Sequence, residues 1–195
     1  MKLKPLFSLL LLPLLLLSGC SKSDPISAVK EGVLEVDKGT TVGKAFDNYK
    51  YFKKASWSVL KTDNGRTLVE VCGMIDFDKV PDQEFADSIL EAQGLSKDQF
   101  DANEMTKALA KIKKDIKKMI KGSELVVQFK LNEDDTFELY AMASHGVKLN
   151  GENTPDTAFN EEMQNKTLKD VYEEHLPVTI TALILAADAS MEEEK

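Results

Sequence analysis

The strongest constraint in this 195-residue chain is a pair of segments that close on themselves in one register. The first is WSVLKTDNGRTLVEVCGMID, residues 57–76, where Asn64-Gly65 separates two alternating, β-branched runs. A two-residue turn would set Trp57 opposite Cys72 and Val59 opposite Glu70. A three-residue loop, Asp63 to Gly65 with Gly65 left-handed in a bulge, sets Trp57 against Val71 and Val59 against Val69. The second arrangement gathers the large apolar groups on one face. A slip of one residue would reverse the faces, so burial selects it. The segment SELVVQFKLNEDDTFELYAMAS, residues 123–144, repeats the device. With Leu131 facing Phe137, Phe129 faces Leu139 and Val127 faces Ala141, while Lys130 and Glu138 form an opposite-charge pair on the other face. Asp134-Asp135 takes the place of Asn64-Gly65. Asp enters the left-handed region less readily than Gly, which makes this the weaker turn.

Helical signals surround the hairpins. Asp24-Pro25 reads as the cap and first residue of a helix, PISAVKEG, stopped by Gly32, with VLEV extended after it. Thr40 or Thr41 caps a helix that carries Val42, Ala45, Phe46, Tyr49 and Phe52 on one face. Between the hairpins, Val80-Pro81-Asp82 opens one helix, which Gly94 ends. A second runs from Asn103 to Lys121 and stops at Gly122. Its apolar stripe of Met105, Leu109, Ile112, Ile116, Met119 and Ile120 lies nearly opposite a stripe of Lys107, Lys111, Lys114, Lys118 and Lys121. SHGVKLNG holds a turn and a short fifth strand, and Thr167 begins a helix, TLKDVYEEHL, interrupted at Pro177. For residues 178–187, VTITALILAA, the β-branched start reads as a strand, whereas Leu176, Ile180, Leu183, Ile184 and Ala187 suit a helix. The sum is an α+β fold: one antiparallel sheet of two hairpins, four to five strands, packed against helices, with a helical insertion at residues 80–122. Residues 25–190 form a single domain and 191–195 an acidic tail.

The N-terminus is of another kind. Lys2 and Lys4 precede a run from Leu6 to Leu17 that only Ser8 and Pro13 interrupt. A bilayer-spanning helix needs about 20 apolar residues, so this run fits the apolar core of an export signal instead. It ends in Leu17-Ser18-Gly19-Cys20, which resembles the lipobox of bacterial lipoproteins at every position. That resemblance implies diacylglyceryl transfer to the Cys20 thiol, removal of residues 1–19, and a lipidated tether at residues 20–24. Each buried methylene of an acyl chain contributes about 0.8 kcal/mol, and two or three chains hold a protein at a membrane durably. In the sorting of enteric bacteria an Asp after the cysteine marks retention at the inner membrane. Ser21 stands there, which implies the periplasmic face of the outer membrane in a diderm source.

Composition narrows function by exclusion. Removing residues 1–19 leaves 176 residues, and the loss of two lysines takes the net charge from −8 to −10. Such an acidic chain is a poor nucleic-acid binder, because neutralising phosphate dominates that affinity. With Cys20 given to lipid, Cys72 is alone and has no internal disulfide partner. Val71 and Gly73 beside it supply neither a base nor a positive charge to activate its thiol, so it reads as a small core residue. KGTTVGKAF has the look of a phosphate loop, but Gly39 and Gly43 enclose three residues rather than four, and Ala45 replaces the hydroxyl. NEDDTFE lacks the central Gly of a calcium loop. His145 and His175 are far apart, and no HExxH or paired Cys/His spacing exists. The reading is therefore of no catalytic residue, no cofactor and no metal. The lysine stripe is the one surface with an interaction reading, electrostatic contact with anionic lipid headgroups or an acidic envelope protein.

More broadly, AVKEGVL, TTVGKAFDNY, NGRTLVEVCG, VVQFKLNEDDTFELYAM and HGVKL are similar to an uncharacterised bacterial exported domain of short helices followed by paired antiparallel strands. This covers about half of the mature chain and implies fold and locale only. The helix-then-sheet order is also similar to small outer-membrane assembly lipoproteins and the β-lactamase-inhibitor-like fold. The expectation is a non-enzymatic, lipid-anchored envelope protein that binds an unidentified ligand or partner. Its alternatives are an envelope assembly factor using the lysine face, or an enzyme using Cys72.

Overall fold

The computed structural model describes residues 24–92, 94–96, 101–118, 120–177 and 180. The chain opens with α1 (Pro25–Glu31), β1 (Val33–Leu34), β2 (Asp37–Thr41) and α2 (Val42–Asp47). The Asp24 carboxylate accepts from the Ser27 amide at 3.0 Å, Pro25 needs no such partner, and Gly32 ends α1. Thr41 caps α2 by accepting from the Lys44 amide at 3.2 Å. The helix is shorter than its apolar stripe predicts. Asn48 closes it, its side chain donating to the Lys44 carbonyl at 3.1 Å. Tyr49 then lies in a turn and Phe52 begins the next strand, yet both remain buried beside Phe46. The Tyr49 and Phe52 rings meet edge-on at 4.8 Å, so the turn delivers the same burial that helical spacing suggested.

The first hairpin is β3 (Phe52–Lys61) and β4 (Thr67–Ile75), in the register that burial selects: Trp57 faces Val71, Val59 faces Val69, and Gly65 has φ +77°. Val69 and Val71 are buried, whereas Val59 stays 40% exposed near the hairpin tip. The insertion follows as α3 (Asp82–Ala92) and α4 (Ala102–Ile116). Gly94 takes φ +66° after α3, and the Leu95 amide donates back to the Leu90 carbonyl at 2.9 Å. α4 ends five residues before the expected Lys121, because Ile120 already belongs to β5 (Ile120–Leu131) and Gly122 lies inside that strand. β6 (Phe137–Lys148) absorbs SHGVK as a continuation, so the fifth strand is not there. It is β7 (Thr157–Ala158), further along, followed by α5 (Glu161–Tyr172). Asn160 caps α5, accepting from the Met163 amide at 2.9 Å. The helix therefore begins well before Thr167, which is fully buried in its middle.

The second hairpin keeps Leu131–Phe137, Phe129–Leu139 and Lys130–Glu138, the last an ion pair at 2.5 Å. Asp135 takes φ +63° at its tip. Beyond that a bulge intervenes. Phe129 faces Leu139 but Gln128 faces Ala141, so Tyr140 is the extra residue, and Val127 faces Met142 rather than Ala141. The bulge puts Met142 in the core and leaves Tyr140 46% exposed.

The sheet order is β3-β4-β5-β6-β7, all antiparallel, with β1-β2 as a separate pair. One face carries the core. Val69, Val71, Leu125, Val127 and Phe129 meet Val29 of α1, Phe46 of α2 and Leu168 and Val171 of α5. Phe85 and Ile89 of α3 and Ile116 of α4 join the same cluster. The fold is α+β, with the helical insertion packed into the sheet's own core. The expected tail at 191–195, the signal and tether at 1–23, and the undecided 178–187 lie outside the described residues, Ile180 excepted. Ile180 is helical and fully buried.

Candidate functional site

Strand alternation turns every second residue of the sheet away from that core. On β4 these are Glu70 and Cys72, on β5 Glu124, Val126 and Gln128, and on β6 Ala141, Ala143 and His145. Together with Asp156 they border an open concavity of about 360 Å³ on the outer face. Pairing fixes the arrangement. Glu70 lies opposite Gln128, whose amide donates to its carboxylate at 2.7 Å. Glu124 lies opposite His145. The bulge at Tyr140 is what makes this possible. Without it the hairpin register would set His145 opposite Ser123, on the core side.

His145 is 8% exposed and held on both nitrogens. Nδ1 is 2.9 Å from the Asp156 carboxylate and Nε2 3.1 Å from that of Glu124. Cys72 lies half-buried with its Sγ 3.5 Å from the Glu70 carboxylate. Burial, and then the negative charges of Glu70 and Glu124, push its thiol up to about 12. A nucleophilic thiolate needs the opposite surroundings, a cation or a helix N-terminus. The arrangement therefore offers hydrogen-bond acceptors and a neutral thiol rather than an activated attacking group. Among the described residues, no cluster of His, Cys, Asp and Glu is arranged to hold a metal ion.

The lysines expected on one helical face are not on one. Lys107, Lys111 and Lys114 are exposed on α4, but Lys118 lies in the turn after it, paired to Asp115 at 2.6 Å, and Lys121 is in β5. The break comes from the early end of α4 at Ile116. Two lysines outside that stripe do more. Lys113 reaches the Val80 carbonyl at 2.5 Å and Asp82 at 2.8 Å, and Lys117 pairs with Asp78. They clamp α4 to the start of α3. The matching i, i+4 spacing of Asp78 with Asp82 and of Lys113 with Lys117 is a sequence signal for this clamp.

Cys20 lies outside the described residues. Among the described residues no helix is long and apolar enough to cross a membrane. No family model matches this chain, and no curated protein or solved structure matches it significantly.

Proposed function

We propose that the chain is a cell-envelope lipoprotein, fixed by acylation of Cys20 after removal of residues 1–19, whose folded part is a non-enzymatic binding module. Placement rests on Leu17-Ser18-Gly19-Cys20, with Ser21 favouring the outer membrane in a diderm source. The observation that supports binding over catalysis is the outer sheet face. It is an open concavity of mixed polar and apolar lining whose one thiol is half-buried beside two carboxylates and kept protonated. The binding surface in this reading is that concavity, with Glu70, Gln128, Glu124 and His145 as its polar groups.

Two experiments test it. Labelling with a palmitate analogue should mark the wild-type protein and place it in the membrane fraction, and Cys20→Ala should lose both properties. An unlabelled wild-type protein, or a Cys20→Ala variant still bound to membrane, overturns the anchor. A photocrosslinking residue at Ser58, exposed on the same face as Glu70, should capture a discrete species in cells, and Cys72→Ser should capture it equally well. Loss of capture in Cys72→Ser would favour the enzyme reading.

A second reading, an assembly factor, rests on Lys107, Lys111 and Lys114. They are exposed and have no carboxylate within 4 Å among the described residues, unlike Lys113, Lys117 and Lys118. Their partner would be anionic headgroups or an acidic envelope protein. Charge reversal to Glu at all three should abolish crosslinks made from α4 and leave those from Ser58 intact.

A further inference from the structure

We propose that His145 is a proton-operated latch that holds the segment between β6 and β7 against the sheet. The two ring nitrogens of His145 both face carboxylates, Asp156 through Nδ1 and Glu124 through Nε2. A neutral imidazole has one N–H and one lone pair, so it satisfies one of these contacts and turns a lone pair toward the other. Only the imidazolium donates to both. The remaining ionisable groups around the ring are Glu70 and Cys72 of β4, across the concavity. Among the described residues, no lysine or arginine lines it.

The two arms are unequal. Glu124 is anchored in the middle of the sheet with its side chain 28% exposed, while the Asp156 side chain is 75% exposed and free to turn to water. Loss of the proton therefore releases Asp156. Its segment is otherwise tied to β6 by two bonds between Thr154 and Gly146, by the Lys148 amide on the Glu152 carbonyl, by the Gly151 amide on the Lys148 carbonyl, by the Val147–Asn153 bridge, and by the two-residue pairing of β7 with Ala143 and Ser144. The sign follows from the charge. The latch closes when His145 carries its proton and loosens when the ring gives that proton up. When it loosens, the β6 edge beside the concavity is uncovered.

The test is amide exchange of the full chain in detergent between pH 5 and 8, corrected for the intrinsic pH dependence of exchange, with the ring nitrogen shifts of His145 read by NMR. Protection of amides in residues 152–158 should fall about fivefold as the ring deprotonates, the size of one net hydrogen bond, while β4 amides stay unchanged. Asp156→Asn, at an exposed side chain, keeps the fold and should flatten the response. His145→Gln should do the same. Ring shifts that stay constant from pH 5 to 8, flat protection in the wild type, an undiminished response in Asp156→Asn, or an equal loss in β4 would each overturn the latch.

Discussion

The Phe52 ring fills the space beside Gly73. A Cβ on Gly73 would sit 2.2 Å from that ring, and Phe52 is itself wedged between Phe46 and Tyr49. With nowhere for the ring to go, Gly73→Ala should cost about 1–3 kcal/mol, as overpacked cores do, measured by urea unfolding. At Gly65 nothing lies within 4 Å of the added carbon, and the penalty is purely conformational at φ +77°. Gly65→Ala should therefore cost about 1–2 kcal/mol. The equivalent position in the second hairpin holds Asp135 at φ +63°, so Asp135→Gly should raise stability, by about 0.5–1 kcal/mol. Cys72 makes the chemical prediction. Its thiolate forms only near pH 12, so in the native protein at pH 8 a maleimide should react at least about a hundredfold more slowly than in urea. Because the carboxylates of Glu70 and Glu124 oppose the negative thiolate, Glu70→Gln should lower the pH at which native-state labelling begins.

The hairpins are the elements most legible in the sequence. A period of two, a glycine of forced handedness and a charge pair jointly fix the register, and Trp57–Val71 and Lys130–Glu138 are where those signals put them. The bulge at Tyr140 escapes such reasoning, since ELYAMAS is apolar at every position from Leu139 to Ala143, leaving no alternation to read and no Gly or Pro to mark the interruption. The candidate site is hidden for the same reason: Glu124 and His145 become neighbours only once that extra residue is counted. The end of α4 is hidden differently. Ile112, Ile116 and Ile120 lie four apart, and residues four apart share a helical face and also a strand face, so the change of element leaves the pattern intact. The insertion is held by more than its apolar face. Glu84 of α3 accepts from the Tyr51 hydroxyl and from the Leu176 amide at 3.0 Å. Glu84→Ala would leave two donors short of their partner. It should cost about 2–4 kcal/mol and speed hydrogen exchange in α3 before the sheet.

At the scale of the whole molecule, the five-stranded sheet divides the protein into a face that is all core and a face that is open. Every helix whose packing is described adds to the first: Val29, Phe46, Phe85, Ile116 and Val171 come from five different helices and meet in one cluster. The open face is thus left to Glu70, Cys72, Glu124 and His145, and strand β3 remains an exposed edge beside it. Lys53, Lys54 and Lys61 on that edge discourage another copy from adding a strand by like-charge repulsion.

The cap of α1 sets one more limit. The described residues begin at Asp24, whose carboxylate closes the helix on Ser27. Four links of backbone separate Cys20 from Asp24, and a fully stretched chain advances about 3.5 Å per link. Under the proposed acylation of Cys20, Asp24 would stay within about 14 Å of the cysteine backbone. Only the end of the domain that carries α1 would then be held near the bilayer, with the rest of the sheet free to extend away from it.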